Sequence, residues 1–237
     1  NLLKKRISST LMIAIPALIL SSLLALVLGT IMGYRKNTKL DSGITTGFIV
    51  LDAVPTFLLA MMLVTVFSFQ LDIFPLGGLT STNASSNGFF SFWDRVWHLI
   101  LPVLTVTLVS TPNKYLLVRN SVAAAKEEKY VIYAKARGLS TNRICFIHIF
   151  KNVCQSFIAM VGLNLGFLIS GSMITEVIFS IHGMGSLIYD AAVFRDYPTL
   201  QGCFFFIALL VILGNILTDV ICILVDPRQR FGVNNET

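Results

Sequence analysis

Leu11-Met-Ile-Ala-Ile-Pro-Ala-Leu-Ile-Leu20-Ser-Ser-Leu-Leu-Ala-Leu-Val-Leu-Gly-Thr30-Ile-Met-Gly33 contains no charged residue, and that decides the fold class. A helix needs about 20 apolar residues to cross the hydrocarbon core of a bilayer, so 11–33 reads as a membrane span. Four further stretches read the same way: 44–69, 99–118, 153–179 and 202–225. The third is interrupted by Pro102, Pro112, Asn113 and Lys114. Proline is tolerated in a span whose neighbours re-satisfy the freed backbone groups, and the Lys114 stem is expected to snorkel to the interface. Composition agrees. Of 237 residues 55% are hydrophobic and 13% charged, whereas a soluble domain carries roughly 25% charge. The reading is an all-α polytopic membrane protein, a single transmembrane domain over 1–237.

The net charge of +6 would suit nucleic acid, but the basic residues fall in short segments between spans, as topology signals do. Arg35, Lys36 and Lys39 follow the first span. Arg119, Lys126, Lys129, Lys135, Arg137, Arg143 and Lys151 lie between the third and fourth, and Arg228 and Arg230 follow the fifth. The alternate segments hold Asp72, Asp94 and Arg95, then Asp190, Arg195 and Asp196. The positive-inside rule puts the basic segments and the C-terminus in the cytoplasm. Lys4, Lys5 and Arg6 then stand on the outer side against the rule, so a sixth span preceding residue 1 is expected in the natural protein. The sequence begins at Asn1 and shows no signal peptide.

Two connecting segments are too long for plain turns. The outer one, 71–98, holds Pro75, Gly77 and Gly78, a polar run, then Phe89, Phe90, Phe92, Trp93 and Trp97. Aromatic rings beside a span suit the interfacial belt better than a ligand-stacking platform. The cytoplasmic one, 119–151, is expected to form a helix from 120 through 137, broken by Gly138-Leu139-Ser140. Glycine there serves as a C-terminal cap and Ser140 as an N-cap, and an amphipathic helix over 141–151 leads into the fourth span. Two short helices meeting at a glycine make a surface for a partner.

The remaining residues offer no chemistry. Cys145, Cys154, Cys203 and Cys222 form no CxxC pair and no metal-ligand spacing, and read as small hydrophobes. His98, His148 and His182 are scattered, interfacial or structural. There is no GxxxxGK[ST] phosphate loop, no Ser/His/Asp set and no HExxH, so no catalytic residue, no metal and no cofactor are expected on this chain. Uncompensated charge in lipid costs at least about 2.5–3.5 kcal/mol, which makes Asp52, Asn164, Glu176, Asn215 and Asp219 candidates. Asp52, Asn164, Glu176 and Asp219 are the candidate translocation-path residues, with interhelical bonding the competing role. Gly162, Gly166 and Ser170 form a close-packing stripe.

Tyr130-Val-Ile-Tyr-Ala-Lys-Ala-Arg-Gly-Leu-Ser140, with Arg143 and His148-Ile-Phe-Lys-Asn152, resembles the cytoplasmic "EAA" loop of binding-protein-dependent ABC importer permeases. Glu176-Val-Ile-Phe-Ser-Ile-His-Gly-Met-Gly185, Arg195-Asp-Tyr-Pro198 with Gln201-Gly202, Asp226-Pro-Arg-Gln-Arg230 and Ile73-Phe-Pro-Leu-Gly-Gly78 are similar to the first permease subunit of the oligopeptide, dipeptide and nickel group. The similarity runs from about Ile7 to Phe231. The motif's glutamate falls on Ile132, its first alanine on Tyr133 and its later proline on Lys151, while Ala134 and Gly138 keep the pattern.

The resemblance implies a type I ABC importer transmembrane domain in the inner, cytoplasmic membrane of a bacterium. It implies as partners a second homologous permease, two cytoplasmic ATPases that carry ATP and Mg, and an extracytoplasmic substrate-binding protein. Tyr133, Ala134, Lys135, Arg137, Gly138, Leu139, Ser140 and Arg143 would be the ATPase-coupling loop, the charges meeting acidic groups there or simply facing solvent. His182, Gly183, Met184 and Gly185 would be the outer gate, with the glycines bending tightly and Met184 as a plug. Cargo would be peptide or a nickel-type chelate. A stand-alone secondary transporter or channel would instead show an inverted repeat and a midplane ion site, and neither is visible. An intramembrane enzyme lacks a convergent catalytic set.

Overall fold

The computed structural model describes residues 2–81, 88–140, 143–163 and 165–225. Every regular element among them is helical: α1 (Leu2–Tyr34), α2 (Lys39–Asp52), α3 (Thr56–Leu63), α4 (Gly88–Ala125), α5 (Lys129–Ala136), α6 (Phe150–Leu163), α7 (Leu165–Ile178), α8 (Met184–Val193) and α9 (Tyr197–Val225). Two wider π-helical stretches, Val64–Gln70 and Ile144–Ile149, extend α3 and lead into α6.

Three helices, α1, α4 and α9, are long and apolar enough to span alone. The span expected to be weakest is the longest helix. α4 runs unbroken through Pro102 and Pro112 for 38 residues, roughly 57 Å at 1.5 Å per residue, well beyond the ~30 Å hydrocarbon core. Its hydroxyl side chains satisfy themselves on the preceding turn, Thr105 donating to the Leu101 carbonyl at 2.8 Å and Ser110 to Val106 at 2.7 Å. The second expected span is a pair, Lys39–Asp52 and Thr56–Gln70, bent by 98° at Pro55, which cannot continue the first helix. The fourth is met by α6 and α7 on either side of residue 164.

Four expectations need correction. Residues 88–98 are the first turns of α4, not loop. The helix expected over 120–137 breaks at 126–128. There, Glu127 and Glu128 close tight turns onto Ala124 and Ala125, and Glu128 turns extended at ψ 147°. Helix-favouring charges give way because the break lets α5 lay Val131 and Ala134 on a core. No separate helix precedes the fourth span, since Ile144–Ile149 passes directly into α6. Lys114 does not snorkel. It is 2% exposed, because α4 continues to Ala125 and leaves it mid-helix.

The chain divides into two compact units. One comprises Asn1–Ser21, Val50–Ser110 and Gly166–Ala208, the other Ser22–Ile49, Thr111–Leu165 and Leu209–Thr237. In the second, Ala25, Met32, Tyr115, Val118, Val122, Val131, Ile144, Ile149, Val153 and Phe157 form the core. α1 and α4 come together there over Gly29 and Gly33: a Cβ on either would fall closer than 3.0 Å to Val118 or Val122. Such small residues spaced by four let helix backbones approach closely.

Candidate functional site

The segment expected to meet a partner belongs to the second unit and starts where α4 ends. Lys126 donates to the Tyr34 carbonyl at 2.9 Å and lies over the Tyr34 ring at 5.0 Å. This places a cation at the C-terminal end of α1, where the helix dipole favours it. Two turns earlier Arg119 holds Asp41 by a fork: Nε to Oδ1 at 3.0 Å and Nη2 to Oδ2 at 2.6 Å. The Asp41 carboxylate also accepts the Asn37 amide at 3.0 Å, while Thr45 meets the Tyr115 hydroxyl at 2.9 Å. Asp41 is 1% exposed. A bidentate, charge-assisted pair of this kind fixes direction as well as distance. α1, α2 and α4 are therefore tied together immediately before α5. Nothing in the sequence reading singled out Asp41; its signal was Thr38 three residues earlier, a helix-start pattern.

α5 is two-faced. Val131 and Ala134 are buried in the core, whereas Ile132 and Tyr133 are 56% and 68% exposed. Lys135, Arg137, Gly138, Ser140 and Arg143 are exposed as well. The helix ends in a double closure, Gly138 N–H to Lys135 carbonyl at 2.9 Å and Leu139 N–H to Ala134 carbonyl at 3.2 Å. Gly138 takes φ +75° and Leu139 packs onto the core, the Schellman arrangement that glycine favours. Space around the Gly138 Cβ position is open, so backbone conformation and not close approach is what requires glycine. Ile132 and Tyr133 thus stand bare near the exposed cations Lys135, Arg137 and Arg143, on a helix backed by the core.

The residues expected to form an outer gate belong to the first unit, where α8 begins. Glu176 is fully buried. Its carboxylate accepts the Thr10 hydroxyl at 2.7 Å, the Ser172 hydroxyl at 3.1 Å and the Ser186 amide at 2.9 Å, with the Gly185 amide beside it. It occupies the amide-rich N-terminus of α8, the part of a helix that attracts anions. Thr10 in turn accepts the Met184 amide at 2.8 Å. Gly183 is at φ −104°, an ordinary conformation, so it does not serve as a special bend. A Cβ there would collide with the Glu176 carboxylate, and one on Gly185 with Met173. Met184 is 1% exposed and packs inward. His182 is exposed. A cavity of about 200 Å³ lies against this group, lined by Arg6, Glu176, His182, Ser186, Tyr189 and Asp190. The 73–78 stretch joins the same unit: Gly78, at φ +86°, donates its amide to the Phe179 carbonyl at 2.8 Å.

Asp52 is exposed in the first unit and Asp219 exposed in the second. Asn164 and Asp226–Arg230 lie outside the described residues, as do the side chains of His148, Gly166 and Ser170. Gly162 faces Thr218 at packing distance. Among the described residues no three His, Cys, Asp or Glu side chains gather as a metal site.

Several helices long and apolar enough to cross a bilayer define a class, the multi-pass membrane proteins. Residues 25–231 match the family of binding-protein-dependent transport system inner membrane components, and the chain belongs to that family as a permease subunit. It is 33% identical over 232 residues to the oligopeptide transport system permease protein AppB of Bacillus subtilis, covering 98% of this chain and 72% of that one. The di/tripeptide transport system permease protein DppB of Pseudomonas aeruginosa is 30% identical, covering 94% and 70%. The inner membrane ABC transporter permease protein YejB of Escherichia coli is 33% identical, covering 95% and 64%. In fold, the chain resembles a chain of the inward-facing MetNI methionine ABC transporter, with a TM-score of 0.74, 15% identity and 95% and 96% coverage.

Proposed function

We propose that this permease forms half of the translocation path of an ATP-driven importer for oligopeptides, dipeptides or nickel-type chelates, with α5 seated in a cytoplasmic ATPase. A second homologous permease would complete the path, a pair of ATPases carrying ATP and Mg would drive it, and an extracytoplasmic binding protein would deliver cargo. The C-terminus and α5 are then cytoplasmic, in a bacterial inner membrane. Tyr133, Lys135, Arg137 and Arg143 meet the ATPase; Ala134, Gly138, Leu139 and Ser140 hold the shape of the docking element. α8, with His182 to Gly185, forms the outer gate and Glu176 its anchor.

The observation that carries this reading is the bare outer face of α5, backed by the buried Val131 and Ala134. A partner that closes on nucleotide would push α5, and the Asp41–Arg119 and Lys126–Tyr34 ties would pass that push to α1, α2 and α4. The test is a single cysteine at Lys135 in the co-purified complex. The expected result is a cross-link to the ATPase whose yield changes with bound nucleotide. Labelling by soluble maleimide at the same rate with and without the ATPases would exclude the contact.

A further inference from the structure

In the first unit, a groove of about 670 Å³ runs between the beginnings of α1 and α4. Its walls are apolar, with Ile7, Leu11, Ile15 and Pro16 from α1 facing Phe92 and Leu99 from α4. Two cations, Lys4 and Arg95, also line it, and Trp93 and Phe89, on the same turns of α4, are exposed. Among the described residues neither the Lys4 nor the Arg95 side chain donates a hydrogen bond. The carboxylate next in sequence, Asp94, is engaged by the Ser81 amide at 2.8 Å and the Ser81 hydroxyl at 2.6 Å. The volume is in the range of ligand sites.

We propose that this groove is a binding site for an anionic phospholipid. Its phosphate lies between Lys4 and Arg95, and one acyl chain lies along Ile7, Leu11 and Ile15. Charge decides the occupant. A spanning helix would fill the apolar part but would bring no anion to the two cations, whereas an anionic amphiphile matches both the cations and the apolar wall. The exposed rings on α4 suit the headgroup level, where aromatic side chains settle. This site uses none of the residues of α5 or α8, so it stands or falls apart from the transport reading.

The test is native mass spectrometry of the full chain in its assembled complex, released from nanodiscs of equal phosphatidylglycerol and phosphatidylcholine. One lysine or arginine near the membrane surface favours an anionic lipid by about fivefold, so two predict retention of phosphatidylglycerol over phosphatidylcholine by about 25-fold. Lys4→Gln and Arg95→Gln should each lower the preference about fivefold. Ser8→Phe, at an exposed position in the groove wall, should reduce retention of both lipids. Equal retention of the two lipids, a preference unmoved by the charge variants, or a protein segment filling the groove in a map of the complex would each overturn the proposal.

Discussion

Gly183→Ala is the sharpest test of how α8 is held. Gly183 has an ordinary negative φ, so alanine carries no backbone penalty there. The whole cost is steric: the new Cβ falls closer than 3.0 Å to the carboxyl carbon and both oxygens of Glu176. The buried carboxylate must then leave the Ser186 amide and the Thr10 and Ser172 hydroxyls. Overpacking typically costs about 1–3 kcal/mol. Glu176→Ala alone strands the Ser186 and Gly185 amides, at about 1–3 kcal/mol for each group that water cannot reach, while the Thr10 hydroxyl keeps the Arg6 carbonyl at 3.3 Å. The adjacent 200 Å³ cavity admits some water, so a total of about 2–4 kcal/mol is expected. In the double variant the clash has no target, so its loss should fall short of the sum by about 1–2 kcal/mol, the coupling seen between touching residues. Thermal unfolding of the detergent-solubilised complex, with hydrogen exchange at α8 amides, would measure all three. Strict additivity would refute the placement of the Glu176 carboxylate at the start of α8.

The fork between Arg119 and Asp41 predicts that Arg119→Met alone is costly, about 3–5 kcal/mol, because it leaves a buried carboxylate unpaired; Asp41→Asn with Arg119→Met should recover part of that in the same unfolding assay. Gly138→Ala meets open space but must hold φ +75°, so about 1–2 kcal/mol of local destabilisation is expected, read as faster hydrogen exchange in α5 with α1 unchanged. Asp196 caps the first turn of α9, accepting from the Thr199 hydroxyl and the Thr199 amide, and these bonds hold its carboxyl below the ordinary 3.8. A depressed folded value stabilises fully above the unfolded one and is lost as pH falls through the folded one. The Thr199 amide should therefore stay protected above about pH 4 and lose protection below it; protection unchanged down to pH 2 would contradict the cap.

Spans and the docking glycine were legible because apolar length and a helix-ending glycine are local signals. The membrane class followed from 11–33 alone, and Gly138 fell where a C-terminal cap was expected. What stayed hidden depends on which atoms meet across the chain. Gly183 and Gly138 look alike in sequence, yet one is kept small by a carboxylate seven residues away and the other by a left-handed backbone. Glu176 read equally as a residue of the path or an interhelical bond; its partners, Thr10 and Ser186, are residues no periodicity connects to it. The break at 126–128 was unreadable for a related reason. Lys126-Glu127-Glu128-Lys129 favours helix, and only the packing of Val131 and Ala134 overrides that preference. Lys114 was misjudged because its distance from the end of α4 depended on where the helix stopped.

The most direct test of the central claim is peptide uptake and ATP hydrolysis by the complete complex in proteoliposomes, comparing the native chain with Tyr133→Glu. Tyr133 is 68% exposed, so the substitution leaves the fold intact and changes only the docking face; Lys36→Glu, on another exposed basic segment, is the control. Loss of ATP-dependent uptake and of ATPase retention in Tyr133→Glu alone, at an undiminished membrane level, is the predicted result. Native uptake by Tyr133→Glu, or transport by this chain without its ATPases, would contradict the account.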